Sequence, residues 1–225
     1  MTGEKGDPRD EGPLADRDPW PVLESRVEYD TGWYDGGYDR VEQPDGTAKR
    51  YYWAALDPAV VVVPLLDDEV VFVEQYRPAI RAHSLELPAG IVEPVTGDEG
   101  RPGAREPDGP STRGVDGGDA FEAITERGRE SYAAAGRREL REETGYDAAA
   151  VETLETCWCA TGVLRHRRGY VVATDLEQVG RDLDENEFLS VTTRPREDAL
   201  ETAREPPVDD ATLEALLLAA ADGYL

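Results

Sequence analysis

The run Arg138-Glu139-Leu140-Arg141-Glu142-Glu143-Thr144-Gly145-Tyr146 concentrates carboxylates at helical spacing. On an α-helix, residues three and four apart share a face, which sets Glu139 beside both Glu142 and Glu143. Like charges held that close repel, so the arrangement requires either a fully solvated surface or a cation among the three acids. Hard oxygen donors favour Mg²⁺ or Mn²⁺, ions that keep several waters and reach substrate phosphates. A solvated acidic helix face is the open alternative, because charge runs in a glutamate-rich chain are usually that.

Two upstream features bear on the choice: the segment Glu86-Leu87-Pro88-Ala89-Gly90, and Glu130, eight residues before Arg138. With the helix string they resemble the Nudix box, whose family pattern is G-x5-E-x7-R-E-U-x-E-E-x-G-U, U being a bulky apolar residue. From Glu130 to Tyr146 every fixed position is matched, with Leu140 and Tyr146 at the U sites. At roughly one in ten per fixed position, a chance match in this chain is on the order of one in several thousand. The departure lies upstream. Gly90 stands forty residues before Glu130 instead of six, so 34 residues are inserted between box glycine and box glutamate. An insertion in the loop ahead of the helix leaves the helix itself intact.

The resemblance covers the chain from about Trp20 to the C-terminus and implies an α+β Nudix fold, a mixed β-sheet sandwiched between helices. It further implies that Glu139, Glu142 and Glu143 ligate the metal with the backbone carbonyl of Ala89, and that Glu142 belongs to the catalytic set. Glu130 and Arg138 would form an ion pair holding loop to helix, with Gly90 and Gly145 in structural roles. Val73-Glu74-Gln75-Tyr76-Arg77-Pro78, followed closely by Glu-Leu-Pro-Ala-Gly, is similar to the ADP-ribose pyrophosphatase group. In that group the arginine matching Arg77 contacts substrate phosphate, a task suited to a bidentate guanidinium; Glu86 is placed with it at the substrate. A late acidic loop supplies the general base there, and Asp184-Glu185-Asn186-Glu187 resembles that loop, with Glu185 the first choice and Glu187 the second. A carboxylate is enough for the role, since water polarised by metal needs only a nearby acceptor for its proton. Ala160-Thr161-Gly162 stands where this group often has a proline. The substrate implied is a nucleoside diphosphate joined to another moiety, ADP-ribose first. A nucleotide-sensing module of the same fold, or a hydrolase of another sugar nucleotide, NADH or a dinucleoside polyphosphate, is the alternative.

Elements must position these groups. Ser131 can cap a helix over 131–144, and Gly145 sits where a left-handed C-terminal residue is wanted. Gly136 inside it costs about 1 kcal/mol relative to alanine, so tertiary packing must hold the segment. Residues 20–56 read as N-terminal antiparallel strands, with turns at Asp35-Gly36-Gly37 and Pro44-Asp45-Gly46-Thr47. Val60–Leu66 and Val70–Gln75 flank Asp67-Asp68-Glu69 as a hairpin of buried strands. Further strands are expected at 151–159, 168–174 and 188–193, with an acidic loop over 177–187. A last helix is capped by Asp209 or Asp210, with Leu213, Leu216 and Leu217 on one face. Residues 1–19 read as a flexible acidic tail, and 94–129, with eight glycines and four prolines, as an irregular insertion within a 57–225 hydrolase domain.

The overall charge bounds the partners. A formal net charge of −25, from 49 acidic and 24 basic residues, argues against nucleic acid or an anionic membrane. Only Lys5 and Lys49 are lysines, a composition that resembles proteins of salt-loving organisms, where a Debye length of about 3 Å screens self-repulsion. Arg165-His166-Arg167-Arg168 is the densest basic cluster; it can attract a pyrophosphate, Arg167 being the candidate contact, or balance neighbouring carboxylates. Cys157 and Cys159 are too few for a disulfide framework or a zinc set and are expected in the core. With no stretch near 18 apolar residues and no charged-then-apolar leader, a cytoplasmic protein is expected. Trp33, Tyr34 and Tyr38 could furnish the interface of a homodimer, as relatives in the ADP-ribose group pair through N-terminal strands.

Overall fold

The computed structural model describes residues 19–95, 128–181 and 188–225. The expected acidic tail, the body of the 94–129 insertion and the pair Glu185 and Glu187 therefore lie outside the described residues.

Three strands come first: β1 (Val22–Asp30), β2 (Tyr34–Glu42) and β3 (Ala48–Leu56), an antiparallel meander closed on one edge by the short β9 (Leu164–Arg165). Asp35-Gly36-Gly37 is not the expected turn. Those residues lie within β2, paired to both neighbours. The glycines serve packing: a Cβ on Gly36 would come within 2.1 Å of the Tyr29 ring, and one on Gly37 within 2.9 Å of the Trp53 ring. The chain reverses earlier, at Gly32 (φ 80°), where the Thr31 hydroxyl accepts from the amides of Trp33 and Tyr34. Tyr38, expected at an interface, is buried and donates to Glu24 at 2.9 Å; Trp33 is exposed.

The central sheet runs β11 (Leu189–Pro195), β5 (Glu69–Arg77), β4 (Ala59–Leu66), β10 (Arg167–Gln178), β8 (Tyr146–Trp158), with β6 (Ala82–Glu86) on β5 and β7 (Ala89–Ile91) on β4. It is mixed: β4 and β10 are parallel and the other pairs antiparallel. β10 runs past its expected end because exposed charges such as Glu177 hide the apolar alternation there, and β8 starts earlier than expected through Ala148-Ala149-Ala150, small residues that carry little strand signal.

Helices cover both faces. Alternate side chains of β4 point oppositely, so Val60 and Val62 pack with Tyr132, Ala135 and Leu140 of α1 (Tyr132–Thr144). Val61 and Val63 pack on the other side with Ala215, Leu216 and Ala219 of α3 (Asp210–Ala221), which follows the single turn α2 (Ala199–Thr202). Leu217, expected beside Leu216, is exposed; the buried stripe runs through Thr212 and Ala215 instead.

Gly136 explains how α1 sits so close. A Cβ there would lie 2.6 Å from Val171 Cγ2 and 3.3 Å from Val62 Cγ2. Gly136→Ala should therefore destabilise the protein by about 1 kcal/mol, overpacking outweighing the propensity gain. A lower urea midpoint in the protein, beside higher helicity in the isolated helix peptide, is the expected pair of results.

Candidate active site

Helix α1 is capped as its sequence demands: Ser131 accepts from the Ala134 amide at 3.2 Å, and Gly145 (φ 78°) donates to Arg141 O. The helix presents Glu139 and Glu143 inward, 8 % and 5 % exposed, and leaves the Glu142 side chain 35 % exposed. Opposite them runs β7, in register with β4 through Gly90 and Val60. A Cβ on Gly90 would lie 2.0 Å from the Glu139 carboxylate, so only glycine admits this approach. The neighbouring Ala89 amide donates to Glu143 Oε2 at 3.1 Å. The box loop thus lies directly on the acidic face of the helix, despite the insertion.

Arg138 ties these parts together. Its Nη2 donates to Glu130 Oε1 and to Ile91 O, each at 2.7 Å, while Nη1 donates to Glu139 Oε1 at 2.7 Å and Glu142 Oε2 at 3.1 Å. Burial works against the Arg138 charge, but the bond to Glu130 and the Glu139 carboxylate outweigh it and push the pKa above the ordinary guanidinium value. Glu130 Oε1 also accepts from the Glu93 amide at 2.9 Å. One guanidinium therefore locks strand, loop and helix.

Among the described residues, no three acidic side chains converge as a metal cage. Arg138 Nη1 instead spans the space between Glu139 and Glu142. The donor set still suits a divalent ion: hard carboxylate oxygens on one helix face, two of them on largely buried residues, with a side-chain-free backbone at Gly90 alongside.

A second ion pair stands beside the box. Arg77, at the end of β5, donates through Nε to Glu86 Oε1 at 2.9 Å and through Nη2 to Glu86 Oε2. The Glu86 side chain is 7 % exposed and that of Arg77 45 %, so the carboxylate is held inside while nearly half of the arginine side chain stays open to solvent. The bond to Glu86 raises the Arg77 pKa against a smaller opposing effect of burial, with the Asp209 and Glu143 charges adding to the rise.

The basic cluster does not form one patch. Arg165 pairs with Asp39 over the Trp53 ring, and Arg168 lies 3.6 Å from both Asp210 and Glu214. Arg167 is 9 % exposed, donates to Thr156 at 3.1 Å and lies over Trp158. His166 is buried, which together with the Arg168 charge lowers its pKa. Arg165 ends β9 on the N-terminal meander while Arg167 opens β10 in the central sheet, and alternation along β10 then parts Arg167 from Arg168, which dispersed the cluster. Cys157 and Cys159 are free and only half-buried.

Sequence reasoning missed Thr212. Fully buried, it accepts from the Leu87 amide at 3.0 Å and so fastens α3 to the Glu86–Ala89 segment. The only sequence signal was its place three residues after the cap Asp209, whose side chain accepts from the Thr212 amide. Gln75, which reaches Glu86 at 3.4 Å, gave none.

A mixed sheet between helices thus carries a glutamate-bearing helix laid on a glycine loop, and comparison with known proteins gives the family. The model of the NUDIX domain matches residues 55–216, and the chain belongs to the Nudix family. It is 27 % identical over 174 residues to the ADP-ribose pyrophosphatase of Bacillus subtilis (strain 168), spanning 76 % of each chain. A solved structure titled "Crystal structure of ADP compounds hydrolase" superposes with a TM-score of 0.68 over 92 % of this chain and 98 % of that one, at 21 % identity, a likeness of fold. The protein is thus a Nudix pyrophosphohydrolase of nucleoside diphosphate compounds, a family that generally uses divalent metals.

Proposed function

We propose that the protein hydrolyses ADP-ribose to AMP and ribose 5-phosphate. The observation that carries this reading is the half-exposed Arg77 side chain, its guanidinium braced by the buried Glu86 carboxylate. Glu139, Glu142, Glu143 and the Ala89 carbonyl would hold Mg²⁺ or Mn²⁺. A divalent ion there supplies neutralisation of the diphosphate and eases deprotonation of water. Arg77 receives a phosphate oxygen, with Glu86 fixing its fork. Water attacks phosphorus, its proton passes to Glu185, or failing that Glu187, and the bond to the bridging oxygen breaks. The nearly buried Arg167 has no part in this reading. No helix among the described residues is long and apolar enough to cross a membrane. A cytoplasmic, salt-adapted homodimer completes the proposal; assays therefore belong in concentrated salt.

The test is a panel of ADP-ribose, NADH, sugar nucleotides and dinucleoside polyphosphates, read as AMP release. ADP-ribose should give the highest kcat/KM; a clear preference for another member would replace it as the substrate. Arg77→Met should lower kcat/KM for the preferred substrate by about 10–100-fold, the value of a charge-assisted bidentate contact. Adding Glu86→Gln removes the stranded buried charge and should restore stability without restoring kcat/KM, which separates binding from folding.

A further inference from the structure

The insertion raises a mechanical question: how does Glu130 keep its place on Arg138 with 34 extra residues behind it? The described ends of the insertion answer it. Pro94 bridges Arg129 in antiparallel fashion, the Val95 amide donates to Gly128 O at 2.8 Å, and Glu130 donates to Glu93 O at 2.9 Å. The two ends thus form a closed ladder before residues 96–127 begin. Its foot is fixed by Arg129, whose Nη2 meets Asp57 Oδ1 at 2.7 Å and whose Nη1 donates to Val92 O at 2.6 Å. Both side chains of the pair are 9 % exposed. Asp57 lies in the short link between β3 and β4, and β4 is the strand that carries β7 and Gly90.

We propose that Arg129 and Asp57 form a positioning clasp that closes the stem of the insertion, so that Glu130 holds its register on Arg138 independently of residues 96–127. The path is continuous. Asp57 fixes Arg129, the adjoining Glu130 takes the Glu93 amide and Arg138, and Arg138 reaches Glu139 and Glu142. A buried ion pair is a poor source of net stability, but it is well suited to fixing a register, and losing one partner leaves a buried charge. In this path Arg129 acts on Glu139 and Glu142 through Glu130 and Arg138. Only the consequence for Mn²⁺ affinity rests on the proposed function above.

The test uses the full chain and reads amide exchange at Glu93 and Glu130 beside Mn²⁺ affinity. In Arg129→Met, exchange at those two amides should quicken by about tenfold or more while β5 keeps its protection, because the opening is local. Mn²⁺ affinity should fall by about tenfold, as when a partner that orients a ligand is lost. Asp57→Asn, which keeps one acceptor for the guanidinium, should lie between wild type and Arg129→Met, and it carries the test if the methionine variant does not fold. Replacing residues 96–127 by Asn-Gly, a dipeptide suited to a tight hairpin, should leave both readouts within about threefold of wild type. Uniform quickening of exchange in the point variants, no change in them, or loss of Mn²⁺ affinity in the folded deletion would each overturn the clasp. A wild type that neither binds Mn²⁺ nor cleaves the panel would remove the proposed function, yet the exchange comparison would still decide the clasp.

Discussion

Glutamine at Glu142 or at Glu143 is expected to lower ADP-ribose turnover by about 10²–10³-fold, the several kcal/mol that a properly held metal ion contributes to a phosphoryl transition state. Glutamine conserves shape. At position 143 its carbonyl oxygen can still accept from the Ala89 amide, the bond that Glu143 Oε2 makes at 3.1 Å. The fold should therefore be retained, and removing one of several neighbouring negative charges should leave the metal-free protein as stable as before or more so. Activity lost at undiminished stability is the signature of acids kept for a ligand. If turnover in saturating Mg²⁺ is unchanged in both variants, the metal assignment fails.

Arg138→Met should have the largest effect on stability. It strands Glu130, Glu139 and Glu142 around a vanished charge and leaves Ile91 O without its donor. Breaking a largely buried ionic network by removing one partner costs about 3 kcal/mol or more, so the thermal midpoint should fall by roughly 6–12 °C at this chain length. Arg137, the next residue, is the control. It pairs with Asp147 at 2.6 Å but its side chain is 54 % exposed, so Arg137→Met should leave the midpoint nearly unchanged. Equal losses in the two variants would show that Arg138 is no hub.

What could be read in advance divides by physical cause. Helix α1 was legible to within a residue at its start, because its cap, its C-terminal glycine and its apolar spacing all agree. The β4–β5 hairpin was legible too, since strands buried on both faces read as unbroken runs of valine and leucine. Gly36 and Gly37 misled because glycine marks both turns and close packing, and the Tyr29 ring, the Arg26 carbonyl and the Trp53 ring make these two the second kind. Adjacency along the chain misled at Arg165–Arg168, because the run crosses from β9 in one sheet to β10 in the other. The Arg77–Glu86 pair came from resemblance; its geometry depends on the register of β5 with β6, which no local pattern fixes. The Asp57–Arg129 and Leu87–Thr212 contacts join residues far apart in sequence, and neither residue type nor spacing announces them.

The proposed role of the α1 carboxylates is to hold the divalent ion that diphosphate cleavage would require. Its most direct test is phosphorus NMR of ADP-ribose incubated with the wild-type protein in molar salt and ¹⁸O-enriched water, with Mg²⁺ and again with a chelator. AMP and ribose 5-phosphate should appear, one of them carrying a single ¹⁸O, and only when the ion is supplied. Conversion that proceeds undiminished in the chelator, or ADP-ribose left intact with Mg²⁺ and with Mn²⁺, would contradict it.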